Sequence, residues 1–304
     1  MMSLPSGRRD GREDSTMRRL AVLVTLMLVA GWSLAQEKPR LHLMLVNDDG
    51  IDAPGLAALV RGLQDGYRLT VVAPAVEQSG VGHGITFRTP VLVEERPAVD
   101  GIRRFAVHAQ PATCARIGVG NLLANDPPAL VLSGINRGDN AGQSTWISGT
   151  LGGAREAALM ALPAIAISAA HPRGGEPEWA AVGQWARLVV DDLVAAGLPR
   201  PGQVVKVEIP HPATAARGVR VNRMGLEPPV DQGYHEKAGP HGERLFVSSW
   251  TPPDHDAAGT DIDALIKGFV SVTPLSIDQS DLAALPALAA VPWSSVLPAT
   301  KPAS

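Results

Sequence analysis

The chain has 304 residues, 45% hydrophobic and 19% charged, with a formal net charge of −3, which is enough apolar material for a sizeable core. With no basic excess and aromatics at only 4%, neither bulk attraction to a nucleic-acid polymer nor a stacking platform for single strands is expected. The single cysteine, Cys114, excludes an internal disulfide.

At the N-terminus, Arg18 and Arg19 precede the apolar run LAVLVTLMLVAGW, and the small residues Ser33 and Ala35 follow. Residues 1–35 thus carry the pattern of a cleaved secretory signal peptide, with Met17 as an alternative start and a periplasmic location expected. The apolar run is shorter than the roughly 20 residues a membrane helix needs, so no stable membrane anchor is expected. The residue directly after Ala35 is Gln36 rather than Cys, which excludes lipid attachment there.

Beyond this segment, short β-branched or Leu-rich runs alternate with helical patterns. LHLMLV (41–46), RLTVVA (68–73), PALVLS (128–133), PAIAIS (163–168) and QVVKVEIP (203–210) read as strands, the first four buried on both faces. Residues 54–66, 112–124, 150–162 and 178–197 have helical spacing between them. This alternation predicts an α/β fold with a mostly parallel sheet and right-handed crossovers. After about residue 215, extended pieces rich in Gly and Pro (GVRVNRMG, RLFVSSW, GFVSVTPL) predict antiparallel excursions. Residues 36–285 are expected to form one domain and 286–304 a Pro/Ala-rich tail.

In open parallel sheets, ligands bind beyond the carboxyl ends of the strands. Four polar clusters fall there: Asn47-Asp48-Asp49-Gly50, PAVEQSGVGHGIT (74–86), Ser133-Gly134-Ile135-Asn136, and Ser148-Gly149-Thr150 opening the helix at 150–162. Singly, each has a plainer reading as an Asx turn, a flexible connection or a helix cap. Together on one rim they suit phosphate chemistry. Hard cations such as Mg²⁺ or Mn²⁺ prefer oxygen ligands. Asp48 and Asp49 supply charge, Ser79 and Asn136 supply neutral oxygens, and the helix start at Gly149 and Thr150 suits an anion.

The motifs NDDGIDAPGL, VVAPAVEQSGVGHGIT, SGINRGDNAG, SGTLGGAREAALMALPAIAIS and GTDIDALIKGFVSVTPL, in that order, resemble the SurE family of metal-dependent 5′/3′-nucleotidases. The resemblance runs from about residue 41 to about 282. It implies a Rossmann-like, three-layer core with C-terminal β arms exchanged in a homodimer or homotetramer. By position it implies metal ligands at Asp48, Asp49, Ser79 and Asn136, with Asp48 and Asp49 catalytic, and phosphate contacts at Asn136, Ser148, Gly149 and Thr150. The implied substrate is a nucleoside monophosphate and the cofactor a divalent cation. Three positions depart from the family pattern: Thr113 replaces an acid, QSTWI (143–147) loses polar or acidic side chains and a tyrosine, and GPHG (239–242) replaces DPRG. They bear on substrate preference and leave the expected ligands in place.

Two other readings remain. One is phosphoaspartyl catalysis, whose acids usually stand two apart rather than adjoining. The other is a nucleotide-binding protein without turnover. His83, His211, His235 and His241 are nominal candidates for the acid at the leaving oxygen, and the pattern selects none.

Overall fold

The computed structural model describes residues 40–172 and 174–293; the expected signal peptide and residues 294–304 of the tail lie outside them. In chain order the elements are β1 (His42–Val46), α1 (Pro54–Leu63), β2 (Arg68–Pro74), β3 (Val93–Val99), β4 (Ile102–Val107) and α2 (Pro111–Ile117). A π turn (Gly118–Leu122) leads to β5 (Leu130–Arg137), a 3₁₀ turn (Gly142–Trp146), α3 (Gly149–Leu159), β6 (Ala164–Ala169), α4 (Trp179–Ala195) and β7 (Val204–Ile209). The chain continues through β8 (Val219–Val221), β9 (Asp231–Ala238), β10 (Arg244–Thr251), α5 (Asp261–Ile266), β11 (Val270–Leu275) and α6 (Leu285–Ala289).

Nine strands form one sheet in the order β3-β4-β2-β1-β5-β6-β7-β11-β8. The six from β4 to β7 are parallel, while β3 and β11 run antiparallel to their neighbours β4 and β7. β1 explains the central position: Leu43 and Leu45 pack into the core beneath α1 and α4, Met44 and Val46 into the core beneath α2 and α3. All four are fully buried, and each contributes about 2 kcal/mol by leaving water. α1 begins with Pro54 in its first turn and buries Leu56, Leu59 and Leu63 on one stripe. The result is helix–sheet–helix layering, as expected. The chain builds outward from β1 through β2 to β4, then crosses back to β5 on the other side. The gap between the ends of β1 and β5 is therefore the topological switch point, where α/β sheets bind ligands.

Several expectations need correction. β3 and β4 were not foreseen, because β3 is the polar, largely exposed strand VEERPAV. β5 runs four residues past its expected end, so Asn136 lies on the strand rather than in a loop after it. Its ladder with β6 shifts register between Ser133 and Asn136. Gly134 allows this: it stands at φ +141°, and a Cβ there would lie 2.2 Å from the Ile167 carbonyl oxygen. Of the late extended pieces, 218–225 and 268–275 are not arms, since β8 and β11 complete the main sheet. Only β9 and β10 form a separate antiparallel pair. The tail opens with the exposed helix α6, whose Pro286 sits in the first turn. No helix among the described residues is long and apolar enough to cross a membrane.

Candidate active site

Asp48 and Asp49 follow β1 directly, and Gly50 at φ +101° turns the chain away. Asn47 closes the turn, its Nδ2 donating to the Gly50 carbonyl at 2.8 Å. Asp48 is 3% exposed. Its Oδ1 accepts from the Thr150 hydroxyl, and its carbonyl accepts from the Gln78 amide at 2.7 Å. Burial pushes its carboxyl up to about 7; the Thr150 hydrogen bond opposes this and the Asp49 charge reinforces it. Asp49 accepts from the Arg137 amide at 3.1 Å, which ties the end of β1 to the end of β5. Burial raises its carboxyl too.

The other expected residues meet this pair from three directions. The loop after β2 passes over Asp48 at Gln78 and presents Ser79 to solvent, its hydroxyl donating to Glu77 Oε1 at 2.9 Å. This loop is held against α3. The Gly82 amide donates to the Ile147 carbonyl at 2.9 Å, and His83 lies 2.9 Å from Glu156, which also pairs with Arg116. Asn136 turns its Nδ2 to the Gly138 carbonyl at 2.8 Å, so its amide oxygen is the atom available to a cation. Ser148 caps α3: its Oγ accepts from the Leu151 amide at 3.0 Å and donates to Asn140 Oδ1 at 2.7 Å. Gly149 packs onto Asp48, where a Cβ would lie 2.9 Å from both Cβ and Oδ2 of the acid. The structure thus brings Asp48, Asp49, Ser79, Asn136, Ser148, Gly149 and Thr150 to one rim. The hydroxyls of Ser148 and Thr150 are already engaged and the Leu151 amide is capped, so an anion would meet the Gly149 and Thr150 amides, which have no acceptor within the helix.

That packing gives a prediction. Gly149→Ala forces a methyl against Asp48 and is expected to cut turnover at least tenfold while the thermal midpoint falls by only a few degrees. Steady-state rates beside a melting curve check it, and full activity would show that Asp48 tolerates displacement.

Beneath the rim lies a buried polar network that the sequence reading did not single out. Lys206 and Glu208 sit on β7, both fully buried, although charged residues inside VVKVEI signal little by themselves. Lys206 Nζ donates to Asp261, to Thr145 Oγ1 at 2.8 Å and to the Asn140 carbonyl at 3.0 Å. Asn140 Oδ1 accepts from Ser148 and, at 3.0 Å, from Ser168, which carries the network up to the cap of α3. Glu208 accepts from the Asn140 amide at 2.9 Å. Burial pushes the Glu208 carboxyl up to about 8, opposed by Lys206 and the Asn140 amide and reinforced by Asp139 and Asp261. The folded chain therefore holds this proton more tightly than the unfolded chain. The associated stability is full below the ordinary glutamate range and is lost as pH rises through about 8. Metal-free protein is expected to melt progressively lower from about pH 5 to about pH 9, with a flatter dependence in Glu208→Gln. Parallel curves for the two proteins would refute the buried proton.

The departures from the family pattern fall into place structurally. Thr113 accepts from the Thr86 amide at 2.9 Å and steadies the loop that carries Ser79. Within QSTWI, Thr145 donates to the Asn140 carbonyl at 2.8 Å. GPHG is the turn of the β9–β10 hairpin, which also carries His235 and His241. With His83 paired to Glu156, the histidines nominated as acids make no hydrogen bond to Asp48 or Asp49 among the described residues.

The rim suits a hard cation. Two adjacent acids are held by amides and one hydroxyl, and neither forms an ion pair among the described residues. Arg137, whose charge reaches Asp49, is itself paired with Glu176 at 2.8 Å. Burial raises the carboxyls of both Asp48 and Asp49. Among the described residues no three His, Cys, Asp or Glu side chains converge on a metal position. A cation here would therefore take the mixed oxygen set of Asp48, Asp49, Ser79 and Asn136, with Ser79 first releasing Glu77.

Comparison with known proteins agrees with this architecture. The family model described as survival protein SurE matches residues 43–229. The 5′-nucleotidase SurE of Desulfatibacillum aliphaticivorans is 38% identical over 251 residues, covering 79% of this chain and 94% of that protein. The 5′-nucleotidase SurE of Ruegeria pomeroyi is 37% identical over 262 residues, 82% of this chain and 99% of that protein. The crystal structure of SurE from Aquifex aeolicus superposes with a TM-score of 0.70 at 31% identity, covering 81% of this chain and 98% of that one. On these matches over most of its length, the chain belongs to the SurE family.

Proposed function

We propose that the chain is a divalent-cation-dependent nucleotidase that hydrolyses nucleoside monophosphates, as 5′ or 3′ esters, to nucleoside and phosphate. The observation that carries this reading is the Asp48–Asp49 pair: Asp48 is buried against the N-terminus of α3, Asp49 is half-buried beside it, and neither forms an ion pair among the described residues. Mg²⁺ or Mn²⁺, when bound, supplies Lewis-acid polarisation of the phosphoryl group and a water of lowered pKa. The chain's own residues do the rest. Asp48 and Asp49, with Ser79 and Asn136, hold the cation. The Thr150 hydroxyl fixes the orientation of Asp48. The Gly149 and Thr150 amides and the α3 dipole favour charge growing on the phosphoryl oxygens. Phosphoaspartyl catalysis through Asp48 or Asp49 is the competing scheme, and a covalent phosphoenzyme trapped with labelled substrate would favour it over the cation reading. Phosphate release from a panel of nucleoside monophosphates tests the proposal. Turnover with Mg²⁺ or Mn²⁺ that stops in EDTA is expected, and turnover that persists in EDTA would contradict it.

Two further expectations belong with this reading. The β9–β10 hairpin exposes Tyr234 and Phe246 on one face and Leu245 and Val247 on the other, apolar surface suited to exchange between copies in a homodimer or homotetramer. Light scattering should return a multiple of the chain mass. Cleavage after Ala35 and export should give a mature N-terminus at Gln36, readable by N-terminal sequencing.

A further inference from the structure

Beside the cation rim, beyond the ends of β6 and β7, lies a cavity of about 280 Å³. Its position is set by the sheet. Asp139, three residues past Asn136, forms one wall; His171 follows the end of β6 and His211 the end of β7. The Gly138 amide donates to the Ala169 carbonyl at 2.9 Å, and the Ala170 amide to the Ile209 carbonyl at 2.9 Å, so these three strand ends stay in step. Adjacent strands are about 4.8 Å apart. The cavity therefore lies roughly one to two strand spacings from Asn136, within the reach of a nucleoside whose phosphate sits between β1 and β5. Trp250, 39% exposed at the end of β10, gives the cavity an aromatic wall. Pro253 and Ile262 make other walls apolar, while Asp139, His171 and His211 supply hydrogen-bonding groups. Flat apolar faces with polar groups between them match a nucleobase, whose faces stack and whose edge donates and accepts. A larger cavity of about 350 Å³ lies between α1 and β4, but it is walled by aliphatic side chains around the Arg104–Asp52 pair and offers no ring.

We infer that the cavity between the β6 and β7 ends and Trp250 is the nucleobase subsite, with Trp250 stacking on the base and His171, His211 and Asp139 facing its edge. This rests on the nucleotidase reading for the phosphate, and it makes the C-terminal hairpin part of substrate selection. The test compares AMP with ribose 5-phosphate, which keeps sugar and phosphate but lacks the base. In Trp250→Ala the ratio of kcat/KM for AMP to that for ribose 5-phosphate is expected to fall about tenfold, chiefly through KM for AMP, and Trp250→Phe is expected to restore most of it. Trp293→Ala, at an exposed tryptophan outside the cavity lining, is expected to leave the ratio intact. An unchanged ratio in Trp250→Ala, or a collapse in Trp293→Ala instead, overturns the assignment. Saturation-transfer NMR with adenosine alone separates this from failure of the nucleotidase reading. Contacts seen with wild type and lost in Trp250→Ala support the subsite even if no ester is hydrolysed. Absence of adenosine contacts in wild type overturns it even if AMP is hydrolysed.

Discussion

Asp49→Asn is expected to lower turnover of a nucleoside monophosphate by about a thousandfold or more while the metal-free protein keeps, or slightly raises, its melting temperature. The two halves of this result have one physical origin. A neutral amide keeps the shape and can still accept from the Arg137 amide, but it no longer contributes charge to a divalent cation. Losing the several kcal/mol that such a cation supplies in the transition state corresponds to about three orders of magnitude or more in rate. In the metal-free fold the carboxylate is a burden instead, because burial raises its pKa, and removing that charge relieves the fold. Asp48→Asn should behave similarly, with Asn Oδ1 still available to the Thr150 hydroxyl. Activity within tenfold of wild type for either variant would show that the acid pair is not the cation grip.

Lys206→Met is expected to destabilise the fold by about 3–5 kcal/mol, or roughly 8–15 °C in melting temperature. The change leaves Asp261 charged and fully buried, and it removes the donor to Thr145 and the Asn140 carbonyl. Asp261 keeps the amides of Gly142 at 3.0 Å, Gly225 at 2.7 Å and Ile262 at 2.9 Å, which limits the loss. A buried ion pair is costly to break even where its net contribution is small, because one charge is stranded. The double variant Lys206→Met/Asp261→Asn should therefore be more stable than Lys206→Met alone, and a double-mutant cycle measures the coupling. A single-variant loss below about 1 kcal/mol would mean that water reaches this network.

What could be read from the sequence follows from how locally each feature is encoded. The runs 41–46 and 163–168 are apolar on both faces and bounded by turn residues, so their strands were legible, as was the helix opening at Ser148-Gly149-Thr150. The rim could be named because NDDG, SGIN and SGT each end a strand or start a helix. β3 was not legible: Glu94, Glu95 and Arg96 give no apolar alternation, and an edge strand needs none. Continuation of β5 through Asn136 depends on Gly134 passing close to Ile167, a contact between distant segments. Lys206 looks like a solvent-facing residue until Asp261, 55 positions later, is seen to close over it. The engagement of Ser148 with Asn140 and of Thr150 with Asp48 also appears only in three dimensions. Trp250 carried no motif at all, and its place beside the rim follows from the path of the hairpin.

The central claim is that the two acids after β1, joined by a hydroxyl from the β2 loop and an amide oxygen from β5, hold one divalent cation at the switch point. Anomalous scattering at the manganese edge from a crystal soaked in Mn²⁺ tests this most directly. A single peak within coordination distance of Asp48, Asp49, Ser79 and Asn136, absent in Asp49→Asn, is the predicted result. A peak lying elsewhere, or none in wild type with the acids still hydrogen-bonded as in the metal-free fold, would contradict it.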